Sequence, residues 1–304
     1  MSNLTLAQRK VIWAYIFLAI PIIFFLYIRI YPTFFAFQMS LYDWNPLAEE
    51  QEFVGFENYA ELFDDLGDEC GGMRGVTRCA FENTGKYIAL GMPLQLMLAL
   101  AIALMLNEIR FMNTFYRLLF FLPFVTSTIA ISWVFRVLFE SQGFFNTVLR
   151  AFSLPTQQFL GSPDQALYSI TAVVVWQGLG FAVIIFLAGL KQIPRSYYEA
   201  AEIDGANRWQ SFWRITFPLL NPSIVYLVVL QSISFLRMFA PVYAMTVQGS
   251  GGPLNSTTTV VLRVVREAFD SNNYGYAATL TVALFVVIMV ITVLQLALTS
   301  RRVD

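Results

Sequence analysis

The chain contains no histidine. Serine–histidine and cysteine–histidine nucleophile systems are therefore excluded, together with the imidazole base that most hydrolases use. Lysine is nearly as scarce, and Lys10, Lys86 and Lys191 are the whole supply. None of them closes a G-x-x-x-x-G-K-[ST] phosphate loop, so any ATP that drives this protein has to be bound by another chain. The only cysteines are Cys70 and Cys79. Two thiols without histidine make a poor metal site, and no metal or other cofactor is expected on the chain itself. Charged residues reach only 13% and form no concentrated basic patch, which argues against nucleic acid as a partner. Apolar residues fill the space instead: 57% of 304 residues, with a mean hydropathy of +0.61. That balance belongs to an integral membrane protein.

Six apolar runs are long enough to cross a hydrocarbon layer of about 30 Å as helices. They are Val11 to Tyr31, Tyr87 to Leu106, Leu118 to Phe135, Ala166 to Leu190, Pro218 to Leu236 and Tyr274 to Thr299. A charge, Arg29, occurs only in the first. Hydrocarbon offers backbone amides no partner, so each run is predicted to be helical, giving an all-α multi-pass protein. The first run is too long for a secretory signal and lacks a small-x-small cleavage pattern, which makes it a retained anchor.

Basic residues orient the spans. With the N-terminus inside, ten of the nineteen fall in short inner segments: Arg9, Lys10, Arg110, Arg117, Lys191, Arg195, Arg208, Arg214, Arg301 and Arg302. Both termini are then cytoplasmic. The stretch between the first two spans is acidic, from Asp43, Glu49 and Glu50 to Glu82, and is expected outside. Three regions result: residues 1–31, tail and first span; residues 32–86, an external loop; and residues 87–304, a core of five spans interrupted by a polar segment at 191–217. Cys70 and Cys79 lie in the external loop. They are either two unrelated thiols or a disulfide stapling the loop, and the oxidising compartment, close spacing and even count favour the disulfide.

The polar segment has helical punctuation. Ser196-Tyr197-Tyr198-Glu199 fits a capping box with Ser196 as N-cap, and Gly205 suits a left-handed C-terminal stop. Asn207 can cap a second short helix carrying Trp209, Phe212 and Trp213. Tyr197, Ala200, Ala201 and Asp204 fall on one helical face, and the two alanines leave a low ridge for close approach to another protein. An amphipathic helix lying on the inner leaflet explains the same pattern.

"EAAEIDGANRWQSFWRITFP" (Glu199 to Pro218) resembles the signature loop of ABC importer permeases: E-A-A, three residues, Gly, nine residues, Ile, x, Leu, Pro. Glu199, Ala200, Ala201, Gly205, Ile215 and Pro218 fill all places but one, where Phe217 replaces leucine. "FVGFENY" (Phe53 to Tyr59), "AGLKQIPRSYYEAAEIDGA" (Ala188 to Ala206) and "TVQGSGGPLNSTTT" (Thr246 to Thr259) resemble the sugar-importing branch and its maltose-type first permease subunits. "SFLRMFAPVY" (Ser234 to Tyr243) departs from that branch, with Ala240 where an acid is frequent.

The resemblance implies a six-span, type I (MetI-like) permease fold in the cell inner membrane. It further implies a cytoplasmic coupling helix, with Glu199, Ala200, Ala201, Asp204, Gly205, Ile215 and Pro218 as ATPase-coupling residues. The implied partners are a second, maltose-type permease subunit, a dimer of ATPase chains carrying ATP and Mg, and a periplasmic or lipid-anchored solute-binding protein. A carbohydrate-type solute (sugar, polyol, glycosylglycerol or glycerol phosphate) would pass by alternating access. Polar groups inside spans are costly and mark either a solute path or interhelical contacts. Trp176, Gln177, Gln231, Ser232, Ser234 and Arg237 are the candidates. An ion-coupled secondary transporter is the alternative function, but neither inverted repeats nor mid-membrane carboxylates are visible.

Overall fold

A computed structural model describes residues 5–48, 50–70, 75–109 and 113–300. Glu49, Arg110, Arg301 and Arg302, on which the charge distribution partly rests, lie outside the described residues. In chain order the elements are α1 (Leu6–Phe25), a π turn (Leu26–Ile30), α2 (Tyr31–Met39), β1 (Tyr42–Asp43), β2 (Glu52–Phe53), α3 (Glu57–Gly67), α4 (Val76–Glu108), α5 (Asn113–Val125), α6 (Thr128–Leu138) and α7 (Phe144–Ala151). There follow α8 (Pro163–Gln192), α9 (Arg195–Ile203), α10 (Arg208–Ser211), a second π turn (Phe212–Thr216), α11 (Phe217–Leu219), α12 (Asn221–Leu236), α13 (Ala240–Met245), α14 (Val260–Phe269) and α15 (Tyr274–Ser300). Four helices are long and apolar enough to cross a membrane, or six if each of two bent pairs counts as one span.

The first span extends beyond its expected end at Tyr31, forming one apolar helix over Ile12–Met39. Pro32 falls at the head of α2, after a π turn in which Tyr31 N bonds Leu26 O. A missing N–H is tolerated there. Likewise α4 starts at Val76, well before the expected Tyr87. The early turns are polar yet helical because their side chains find protein partners: Asn83 Nδ2 donates to Asn255 O (2.8 Å) and Thr258 O (3.2 Å), and Thr84 Oγ1 accepts from Val260 N (3.1 Å).

The third span corrects the sequence expectation. Leu118 to Phe135 does not run straight; α5 and α6 meet at 92°. Pro123 removes an amide from the last turn of α5, and Ser127 is non-helical at ψ 126°. Carbonyls at the break draw side-chain donors: Leu122 O accepts from Thr126 Oγ1 (2.9 Å) as well as from Thr126 N (3.3 Å), and Thr126 O accepts from Gln177 Nε2 (3.3 Å). The fifth span is also bent. The segment Arg208–Leu219 meets α12 at 63°, with Pro222 in the first turn of α12.

The described chain divides into two compact units. In the unit of Met1–Phe63 with Val264–Ala283, β1 and β2 form a two-residue antiparallel pairing, Tyr42 opposite Phe53. Asn58 Nδ2 bonds the carbonyls of Ser40 and Tyr42 (both 3.0 Å), Tyr274 N donates to Trp44 O (2.9 Å), and Thr279 Oγ1 donates to Ser40 O (3.3 Å).

The larger unit, Asp64–Arg263 with Leu284–Asp304, is centred on α8. Its most apolar stretch is 56% buried, against 22% for α4. Along α4 the buried positions recur every fourth residue: Tyr87, Gly91, Gln95, Ala99 and Ala103. This narrow stripe of mostly small residues lets helices approach closely, which is how packing without a hydrophobic driving force is achieved in a bilayer. Gly180 serves the same end on α8, since a Cβ there would lie 2.7 Å from Phe121 Cα. Phe186, Leu187, Leu220, Leu227 and Phe235 complete the interior.

Candidate functional site: the EAA segment and a membrane cavity

The EAA segment begins two residues earlier than its capping-box pattern predicts. Pro194, extended at φ −62° and ψ 138°, is the N-cap of α9, and no side chain caps the helix. Ser196 is therefore already helical, which removes the extended backbone an N-cap serine needs to reach forward. At the other end the expectation and the structure agree. Gly205 adopts φ +77°, Ala206 N bonds Ala201 O (2.9 Å) and Gly205 N bonds Glu202 O (3.1 Å). These two bonds form a Schellman motif. Asn207 caps α10 in a full capping box, Gln210 N to Asn207 Oδ1 and Asn207 N to Gln210 Oε1 both being 2.9 Å.

One side of the segment is tied to the helical core. The Tyr198 hydroxyl lies 2.9 Å from Thr216 Oγ1, and Ile215 packs on the apolar interior. The opposite side is bare: Tyr197, Glu199, Ala200, Asp204 and Gly205 are exposed, and Ile203 is 87% exposed. Ala201 departs from the predicted shared face by being half-buried. Pro218 is exposed at the head of α11. Beside this segment Trp209, Phe212, Trp213 and Phe217 form a chain of ring contacts between 5.0 and 6.2 Å. Arg208 stands 3.7 Å from Glu108, but both are largely exposed, so the pair contributes little.

Within the spans, a cavity of about 500 Å³ gathers Gln177, Gln231, Ser234 and Arg237 from the predicted set. Trp176 and Ser232 do not line it. Trp176 is 43% exposed and packs on Phe135 with centroids 5.3 Å apart. Ser232 is fully buried, 2.7 Å from Val228 O, and accepts from Gln295 Nε2 at 2.7 Å. That is an interhelical contact.

Two polar lining residues, Gln95 and Thr128, escaped the sequence reading. The available signal was that Gln95 is the lone amide in the apolar run of α4. It is 1% exposed, its Nε2 has no hydrogen-bond partner, and the absence of a side chain at Gly178 makes room for it. Gln177 Nε2, in contrast, is engaged by Thr126 O (3.3 Å) and Thr128 Oγ1 (3.0 Å). Phe124 and Phe181 stack at 5.2 Å and, with Phe235 and Phe239, supply aromatic walls.

Cys70 and Cys79 are disulfide-bonded, with Cα atoms 5.0 Å apart. Among the described residues no cluster of metal-ligating side chains occurs.

Residues 88–304 match the family described as binding-protein-dependent transport system inner membrane component, and the chain belongs to that family. It is 34% identical to the multiple sugar-binding transport system permease protein MsmF of Streptococcus mutans, over 96% of this chain and 98% of that one. It is 32% identical to the lactose transport system permease protein LacF of Rhizobium radiobacter, over 90% and 89%. A bacterial ABC transporter involved in import of the acidic polysaccharide alginate has a chain that superposes with a TM-score of 0.83, at 23% identity and 96% coverage of both. The protein is thus a multi-pass permease subunit of an ABC importer and not an enzyme, ATP hydrolysis belonging to a separate chain. An ion-coupled carrier finds no support in these relatives.

Proposed function

We propose that this permease passes a carbohydrate-type solute from a periplasmic binding protein to the cytoplasm by alternating access, in the cell inner membrane. The solute is a sugar, polyol, glycosylglycerol or glycerol phosphate derivative. Relatives named for sugars, lactose and sulfoquinovosyl glycerol support that class. The functional unit pairs this chain with a second, different permease and with two ATPase chains that hold ATP and Mg. Both termini lie in the cytoplasm, the EAA segment faces the ATPase, and the chain binds no cofactor of its own.

The observation that carries the reading is the asymmetry of the EAA segment. Its inner side is fastened through Tyr198, Thr216 and Ile215, while the outer side of α9 is bare and ends in a rigid cap. A helix fixed on one side and bare on the other transmits a push into the spans to which it is fastened. Energy enters because each nucleotide state of the ATPase stabilises one arrangement of the docked helices over the other. The solute path runs through the cavity of Gln95, Gln177, Gln231, Ser234 and Arg237.

Reconstitution tests this. Vesicles holding both permeases and the ATPase should accumulate radiolabelled sugar only with internal ATP and external binding protein. Accumulation by this chain alone, driven by an ion gradient, would refute the proposal.

A further inference from the structure

We infer that the solute is an anionic carbohydrate, its carboxylate, phosphate or sulfonate held in the membrane cavity by Arg237 with help from the free amide of Gln95. The inference rests on the proposed carbohydrate path and narrows it. Arg237 is the one ionisable side chain among the described residues that line the cavity. It takes part in neither the Arg78–Glu82 nor the Arg208–Glu108 ion pair. Ala240, where a carboxylate would neutralise the guanidinium, contributes a methyl group to the same wall. Arg237 also caps the C-terminus of α12. The partial charge at such a helix end is about half an electron, so the cavity keeps a net positive potential.

Hydrogen-bond supply points the same way. Arginine and the buried Nε2 of Gln95 are donors, and an unpaired buried donor is costly unless a ligand oxygen completes it. A neutral sugar hydroxyl can accept from these donors too, but carboxylate, phosphate and sulfonate oxygens add the charge that pairs with the guanidinium. The guanidinium fork matches all three planar or tripodal groups. The aromatic walls of Phe124, Phe181, Phe235 and Phe239 suit the C–H faces of a sugar ring, which distinguishes a charged carbohydrate from a bare inorganic anion.

The test uses the complete assembly in proteoliposomes, with its binding protein, offered matched pairs: glucuronate and glucose, galacturonate and galactose, glycerol 3-phosphate and glycerol, and acidic and neutral oligosaccharides. Rates are compared at equal amounts of copurified ATPase. Uptake should be confined to the acidic member of a pair. Loss of a charge-assisted contact by Arg237→Gln should cut it at least about tenfold, while Arg237→Lys retains part of it. Ala240→Asp, which neutralises the cavity without touching the arginine, should cut it comparably and decides the matter if Arg237→Gln fails to assemble. Uptake of a neutral sugar that is indifferent to Arg237→Gln and Ala240→Asp overturns the inference and leaves the carbohydrate reading standing. So does acidic uptake that is indifferent to both, since charge selection would then lie in the binding protein. Uptake of no carbohydrate of either kind removes the reading on which the inference stands.

Discussion

Replacement of Gly205 isolates the backbone contribution to the EAA segment. A Cβ at this position would meet no atom within 4 Å, so Gly205→Ala introduces no clash. Its whole penalty is conformational, because φ is +77° and an L-residue in the left-handed region costs roughly 1–2 kcal/mol. The capped form would become about 5–30 times less favoured relative to frayed alternatives. If the ATPase accepts only the capped form, its apparent affinity falls in proportion to the competent fraction. Asparagine enters the left-handed region at lower cost, so Gly205→Asn should recover most of the loss. Two measurements check this. Hydrogen exchange at the amides of Gly205 and Ala206, which donate to Glu202 O and Ala201 O, should speed up in the alanine variant. Titration of the ATPase onto the permease in nanodiscs should show the ranking Gly, Asn, Ala. Equal behaviour of the alanine and asparagine variants, both normal or both defective, would refute the reasoning; if both were defective, the glycine would matter for contact instead of conformation.

Three further outcomes are expected. Ala201→Leu overpacks a half-buried position, at a cost of about 1–3 kcal/mol, and should weaken ATPase copurification; normal copurification and transport would dismiss the docking role. Asn83→Ala removes two bonds that hold the carbonyls of Asn255 and Thr258, a loss of about 2–3 kcal/mol, and should expose residues 246–259 to limited proteolysis. Without reductant, alkylation of the denatured chain should find no free thiol; the double change Cys70→Ser, Cys79→Ser, opening a closure with a sequence separation of 9, should cost about 2–3 kcal/mol, read as a lower thermal midpoint.

What the sequence made visible divides by the range of the interactions concerned. The spans follow from apolar length, and the stops at Gly205 and Asn207 follow from residues acting within one helical turn. The Ser196 box failed because two local signals competed there and the proline, one of whose torsions is fixed, prevailed over a serine that had to be freed for capping. The elbow between α5 and α6 depends on Gln177, 51 residues from the carbonyl it satisfies, and the polar start of α4 depends on carbonyls 172 and 175 residues away. No window of sequence displays such partners. The cavity was half legible for a related reason. Polarity inside a span marks cost without marking direction, so Trp176 and Ser232 looked equivalent to Gln177 and Gln231, while Gln95 stood alone and drew no attention.

The Gln177 amide belongs to two structures at once. It lines the cavity, and it is also the latch on the Thr126 carbonyl at the right-angled break between α5 and α6. Whatever draws that amide toward an occupant slackens the latch, and whatever straightens or tightens the break reorients the amide. Occupancy and bend angle are thereby thermodynamically reciprocal, each biasing the other by the same free energy. If the cavity is the solute path, this one side chain would couple its filling to the angle between the two helices.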